Sequence, residues 1–281
     1  MDEPPAYAEL HCLTNFTFLR GASHPEEIVE RARALGYAAL AITDECSVAG
    51  VVRAHVAIRK SSTPEEPSGA LKLLIGAEFR LACGLRFAAI AANRRGYGRL
   101  CSLITRGRRS AEKGAYRLTR ADVEDCLGEC SILWLPAARP DVDAQPDLDA
   151  GAWLRERFRG SLWIAVEFVR GGADRARLVA LTRVGQRLGL PLVAAGDVHM
   201  HVRARRGLQD ALTAIRMNVP LTEAGTSLYA NGERHLRARA RLARLYPGAL
   251  LAESLAVAAR CTFSLDELRY EYPREIVPEG E

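Results

Sequence analysis

The chain has 281 residues, 48% of them hydrophobic, and a formal net charge of +5; that length suffices for one large α/β domain or two smaller ones, with a core needing no disulfide or structural metal. Its seven cysteines (Cys12, Cys46, Cys83, Cys101, Cys126, Cys130 and Cys261) are odd in number and form no CxxC pair, which argues against a disulfide framework or zinc ribbon. No signal-peptide pattern opens the chain and no apolar run is expected to approach the roughly 18 residues of a membrane span, so the expectation is a cytoplasmic protein without membrane contact.

In chain order, Leu10-His11-Cys12-Leu13 ends a short apolar strand. A metal enzyme would place a His-x-His pair there, but the second position is Leu13. Ser23-His24-Pro25-Glu26 predicts a helix start, with Ser23 as cap, Pro25 at the first helical position and Glu26 closing a capping box. Ile28, Val29, Ala32 and Leu35 continue it at helical spacing, and Gly36 stops it. The run from Ala38 to Thr43 reads as a buried strand ending in Asp44-Glu45.

Strands are also predicted over Leu71–Phe79, Arg86–Ala92, Ser131–Leu135, Leu162–Val166 and Leu192–Ala195, the last ending in Gly196-Asp197-Val198-His199. Helices fit Tyr97–Arg106, the stretch through Leu178, Leu181, Val184 and Leu188, and Arg205–Arg216. Apolar strands alternating with helices predict a parallel sheet covered on both faces, as a doubly wound sheet or a barrel. Such folds build their sites at the strands' C-terminal ends.

Residues 136–149, rich in proline and aspartate, predict a flexible surface insertion, and the stretch from Phe263 to Glu281 predicts a linker toward a further domain. Arginine gathers at Arg106–Arg109, Arg203–Arg206 and Arg234–Arg244. Solvated helix faces explain these clusters simply. Contact with a nucleic-acid backbone is the sharper reading, although no aromatic residues interleave for base stacking. Cys126 and Cys130, four apart, have no histidine beside them to complete a metal site.

The residues at strand ends able to hold a metal or move a proton are His11, Asp44, Glu45, Glu78, Asp197 and His199. Side chains repeat every two residues in extended chain, so Asp197-x-His199 offers two ligand types on one side. Oxygen and imidazole together suit zinc, manganese or iron. The plainer alternative is that Asp44 and Asp197 cap local structure and His199 is a satisfied loop histidine.

Leu10-His11-Cys12-Leu13-Thr14-Asn15-Phe16, Ala41-Ile42-Thr43-Asp44-Glu45, Leu74-Ile75-Gly76-Ala77-Glu78, Ala92-Asn93-Arg94-Arg95-Gly96-Tyr97 and Gly196-Asp197-Val198-His199 together resemble the PHP (polymerase and histidinol phosphatase) domain. The likeness covers nearly the whole chain. It is strongest to the N-terminal PHP domain of bacterial C-family DNA polymerases, and the segment Phe263–Pro273 is similar to their damage-inducible, error-prone branch. The resemblance implies an α/β fold, a distorted (β/α)7 TIM-like barrel over residues 1–262, with a metal site on the rim. It also implies a following polymerase core that uses magnesium for translesion synthesis, with mutasome and sliding-clamp proteins as partners and DNA met through that core.

Against the metal-binding pattern of the family, this sequence departs at Leu13, Arg20, Glu45 and Arg86, and residues 166–171 lack an expected histidine. His11, Glu78, Asp197 and His199 survive, with Glu45 as a substitute. A hydrolytic pair of metals needs ligands for both ions at a spacing of roughly 3.5–4 Å, and a guanidinium ~4 Å from a dication opposes it by on the order of 8 kcal/mol. The expectation is a non-catalytic module without cofactor, or with one zinc or manganese at most. Arg20 would pair with Glu45 or Asp197, and Arg86 with Glu78. The alternatives are a residual metal-dependent phosphoesterase or 3′–5′ exonuclease, and a sugar or amidohydrolase-like barrel.

Overall fold

The computed structural model describes residues 3–61, 71–124, 126–137 and 148–269. Seven strands form one sheet in sequential order: β1 (Ala8–Glu9), β2 (Ala39–Ile42), β3 (Lys72–Arg80), β4 (Arg86–Ala91), β5 (Cys130–Trp134), β6 (Leu162–Glu167) and β7 (Leu192–Ala195). Beyond the ends of β1 and β7 the chain closes the ring: Leu13 N donates to Val198 O at 2.8 Å and Val198 N to His11 O at 3.0 Å. The buried Glu9 carboxylate reinforces this seam, accepting from the backbone amides of His11 and Gly196. The helices are α1 (Pro25–Ala34), α2 (Ala49–Ser61), α3 (Arg94–Arg109), α4 (Arg120–Val123), α5 (Leu148–Arg157), α6 (Asp174–Leu188), α7 (Arg206–Met217), α8 (Arg239–Leu245) and α9 (Gly248–Arg260). This is the distorted seven-stranded α/β barrel.

Strand periodicity separates two cores. Small and medium side chains such as Ala39, Ala41, Leu74, Ala88, Ile90, Ala165, Val193 and Ala195, together with the large Trp163, fill the lumen. Their neighbours, including Leu40, Ile42, Phe79, Phe87, Ile132, Ile164 and Val166, pack outward beneath the helices. The same alternation carries polar residues to the rim: Glu78 follows Leu74 and Gly76 on one face, Glu167 follows Trp163 and Ala165, and Asp197 follows Val193 and Ala195. At the other end α9 plugs the barrel. Val257 and Ala258 enter the lumen core, and Ala8 N donates to Ser254 Oγ at 3.1 Å.

Several expectations need correction. The sheet is not wholly parallel: β4 runs antiparallel to both β3 and β5. Apolar patterning carries no strand direction, so the β3–β4 hairpin was hidden. The α1 cap is His24, whose backbone N donates to Glu27 Oε2 at 2.9 Å, rather than Ser23 with Glu26. Ser23 Oγ instead receives His201 N at 2.9 Å, tying this loop to the segment after β7.

One stretch, Gly248–Glu267, does reach the length and hydropathy of a span, against expectation. Its helical part is the thirteen-residue α9, and at 1.5 Å per residue that covers about 20 Å, short of a bilayer core. It is a core helix by its contacts. Packing continues past residue 262: buried Phe263 stacks on Tyr97 at 4.7 Å, and Arg59 Nη1 reaches Asp266 Oδ1 at 3.1 Å. Residues 138–147 of the expected insertion and 270–281 of the expected linker lie outside the described residues.

Candidate functional site

Because β4 is antiparallel, its first residue lies on the same rim as the last residues of β3 and β6. Arg86 therefore stands beside Glu78, two residues away in the ladder from Ala88, its cross-strand partner. Arg86 Nε and Nη2 donate to Glu78 Oε1 at 3.0 and 2.8 Å. The other oxygen, Oε2, accepts from Arg20 Nη2 at 3.1 Å and faces His11 Nε2 at 3.3 Å. Glu78 is thus buried and gripped by three cationic side chains.

Arg20 comes from the loop between β1 and α1. Asp44 fixes that loop, accepting from Thr14 N, Thr14 Oγ1 and Thr17 Oγ1 at 2.7 to 2.8 Å. Asp44 is therefore a loop staple. Gly21 follows Arg20 where only glycine fits, since a Cβ would lie 1.9 Å from Thr14 O. The Arg20 guanidinium also pairs with Glu45, whose Oε1 accepts from Tyr116 OH at 2.9 Å.

Across the rim, His11 Nδ1 meets Glu167 Oε1 at 2.6 Å and lies 3.8 Å from Asp197 Oδ1. Asp197, at a left-handed φ of 46°, pairs with Arg234 and accepts from His199 Nε2 at 2.9 Å. Arg234 also stacks its guanidinium over Tyr229, 4.4 Å from the ring centre. Of the two partners expected for Arg20, Glu45 is the one observed, with Glu78 beside it. Asp197 pairs with Arg234 instead, a residue from the arginine cluster that looked like a solvated face. Leu13, at the expected ligand position, is fully buried and supplies only its backbone N–H.

Burial alone would pull the His11 imidazole down, but its hydrogen bonds to Glu167 and Glu78, with their charges, push it up to about 9. Burial would raise Glu167, yet the His11 contact and charge bring it down to about 2. His199 goes the other way. Burial and then the Arg20 charge hold it well below the usual imidazole range, so it is neutral and donates Nε2–H to Asp197. With His11 protonated, the rim opposes four cations (His11, Arg20, Arg86 and Arg234) to four carboxylates (Glu45, Glu78, Glu167 and Asp197).

His11, Glu167 and Asp197 have ligand atoms within 4.8 Å of one another, a donor set of the kind zinc or manganese accepts. Two features weigh against a divalent ion there. Both ring nitrogens of His11 face carboxylates, so the protonated ring has no lone pair to give. Every rim carboxylate already has a cationic partner, and a second ion would sit against three guanidiniums. The arrangement fits a closed salt-bridge network and does not fit a two-metal centre.

Glu167 and Arg234 escaped sequence reasoning. Glu167 stands one residue beyond the strand predicted to end at Val166, and a carboxylate at a strand end was the available signal. Arg234 had none, because its partner Asp197 is distant in sequence.

The PHP domain profile matches residues 9–168. The chain is 56% identical over 282 residues to an error-prone DNA polymerase of Dechloromonas aromatica (strain RCB), covering 99% of this chain and 26% of the relative. It is 56% identical over 275 residues to an error-prone DNA polymerase of Methylococcus capsulatus, covering 98% of this chain and 25% of the relative. The chain thus spans about a quarter of the length of these relatives. Among solved structures, a candidate metal-dependent phosphoesterase from Bifidobacterium adolescentis superposes with a TM-score of 0.51 at 17% identity, over 70% of this chain and 89% of that one. That likeness speaks to the fold alone. The domain profile, borne out by the barrel, shows that the chain belongs to the PHP domain family, and over nearly its whole length it is similar to part of error-prone DNA polymerases.

Proposed function

We propose that this domain is a non-catalytic structural and docking module of an error-prone translesion DNA polymerase, its rim converted from metal binding to a salt-bridge network. The observation that carries the reading is Glu78, whose two oxygens are divided between Arg86 on one side and Arg20 and His11 on the other. Buried carboxylates left by metal loss would be costly unless paired, and the guanidiniums of Arg20, Arg86 and Arg234 supply those pairs. Relatives are longer polymerase chains, so the first partner is the remainder of such a chain. Nucleotidyl transfer with magnesium belongs to that remainder. Mutasome and sliding-clamp proteins as further partners, DNA met through the polymerase core, and a cytoplasmic location complete the proposal.

The second reading, a residual phosphoesterase or 3′–5′ exonuclease, rests on the convergence of His11, Glu167 and Asp197. A metal-bound hydroxide would hydrolyse a simple phosphodiester. Hydrolysis of bis(p-nitrophenyl) phosphate with manganese or zinc separates the two. No turnover above buffer is expected for either the native chain or Asp197→Ala. Turnover that Asp197→Ala abolishes would replace the first reading by the second.

A further inference from the structure

Away from the rim network lies a second concentration of charge that the barrel chemistry does not use. The segment after β6 and the short helix α8 enclose a hollow of about 580 Å³, lined by Arg170, Gly172, Asp174, Arg175, Arg241 and Arg244, with Leu245 as its apolar wall. The size is that of small-ligand sites, which run from roughly 300 to 1,000 Å³.

The hollow has fixed walls. Arg237 Nη2 donates to Phe168 O at 2.7 Å, and Asn231 Nδ2 donates to Val169 O at 2.8 Å and Arg170 O at 3.2 Å. Phe168 stacks on Tyr246, the residue after α8, with ring centres 4.7 Å apart. These contacts hold the loop and the helix at a set separation.

The charges are unbalanced. Glu233 takes Arg241, with Nη2 at 2.9 and 2.8 Å from its two oxygens. Among the described residues no carboxylate pairs with the side chains of Arg170, Arg175 or Arg244. The one other acid, Asp174, accepts from the backbone N of Arg170 at 3.0 Å. Three guanidiniums thus face one carboxylate, and the hollow also meets the first turn of α6, the positive end of a fifteen-residue helix. Like charges of this kind repel one another unless an anion joins them.

We infer that this hollow is a phosphate-binding site formed by Arg170, Arg175 and Arg244. Planar guanidiniums match phosphate oxygens bidentately. No aromatic ring lines the hollow, so recognition is by charge and independent of base sequence. The phosphate comes from the backbone of a nucleic-acid strand or from a free nucleotide, and the two are separable.

The test titrates this chain into a fluorescein-labelled single-stranded DNA of about 20 nucleotides at salt between about 50 and 200 mM. Its charge-reversal variant is Arg175→Glu/Arg244→Glu. Arg95→Glu/Arg94→Glu is the matched control, because those arginines follow β4 at the opposite end of the barrel. The site predicts DNA affinity at least about tenfold weaker in the first variant than in the control, and a salt slope smaller by about 2. Both substituted arginines are exposed, so unchanged thermal melts should confirm folding. If the strand is the ligand, thymidine monophosphate at millimolar level leaves DNA binding intact. If a nucleotide is the ligand, the monophosphate binds the native chain directly and the Arg175/Arg244 variant loses it. Equal losses in both double variants, or no binding of either probe by the native chain, would overturn the site.

Discussion

Arg86 and Glu78 face each other across an antiparallel strand pair, Nε and Nη2 of the arginine both reaching one carboxylate oxygen at 3.0 and 2.8 Å. The hairpin direction makes this possible, since it brings the start of β4 to the rim where β3 ends. Arg86, where the family resemblance implies a histidine, is here the partner of Glu78.

Removing that glutamate's charge leaves half-buried Arg86 without its carboxylate partner and takes one of two such partners from Arg20 and one from His11. Glu78→Gln is expected to destabilise the fold by about 3 kcal/mol, the scale for breaking a buried pair from one side. Urea unfolding followed by circular dichroism measures it. A loss below about 0.5 kcal/mol, the range of ordinary surface substitutions, would show that Arg20 and Arg86 do not depend on Glu78.

The His11–Glu167 pair predicts a pH profile. His11 is raised in the folded state from 6.5 to about 9, so its contribution is complete below about pH 6.5 and is lost as pH rises through 9. Glu167 is lowered from 4.5 to about 2, so its contribution is complete above about pH 4.5 and is lost as pH falls through 2. The urea midpoint should fall between about pH 7 and 9 in the native chain, and His11→Asn should flatten that fall. A metal-ligating His11 must be neutral, and would give the opposite trend, with stability in metal rising as pH climbs from 6 to 7.

Asp44→Ala removes the acceptor of three hydrogen bonds that shape the Arg20 loop. The cost should be about 3 kcal/mol, since buried donors are left unsatisfied. Unfolding at unchanged metal content is the expected pair of readouts. A stable variant that loses a bound metal would instead make Asp44 a ligand.

Much of the scaffold was legible because apolar runs and glycine stops report burial and element ends directly. Strand β7 was predicted at Leu192–Ala195 and is observed there, and β2 and β6 differ from expectation by one residue at one or both ends. Direction was not legible, because β4 is as apolar as its neighbours and a two-residue period reads alike both ways. Arg86 and Glu78 could be paired in sequence through motif position. Arg234 and Asp197 could not, since their segments meet through backbone pairing of His199 and Met200 with Arg234 and His235, which has no local sequence signal. The Ser23 hydroxyl looked like a helix cap, yet tertiary contact with His201 claimed it and left His24 at the cap position.

Restoring the family's ligand types should reverse the rim's chemistry. The combination Leu13→His, Arg20→Asp, Glu45→His and Arg86→His removes two cations and adds three donors, and is expected to retain at least one divalent ion per chain after desalting. Leu13→His alone should cost about 2 kcal/mol, because the buried leucine gives way to an imidazole without a partner. Zinc should recover that loss only in the combined variant. Recovery in the single variant would mean the arginines leave room for an ion.

The central claim is that guanidiniums and a protonated imidazole hold the rim carboxylates in place of metal. Metal content by mass spectrometry tests it most directly, on protein purified without an affinity tag, offered zinc and manganese, then desalted, with Asp197→Ala alongside. The account predicts metal far below one ion per chain in both samples. About one ion per native chain, lost in Asp197→Ala, would contradict it.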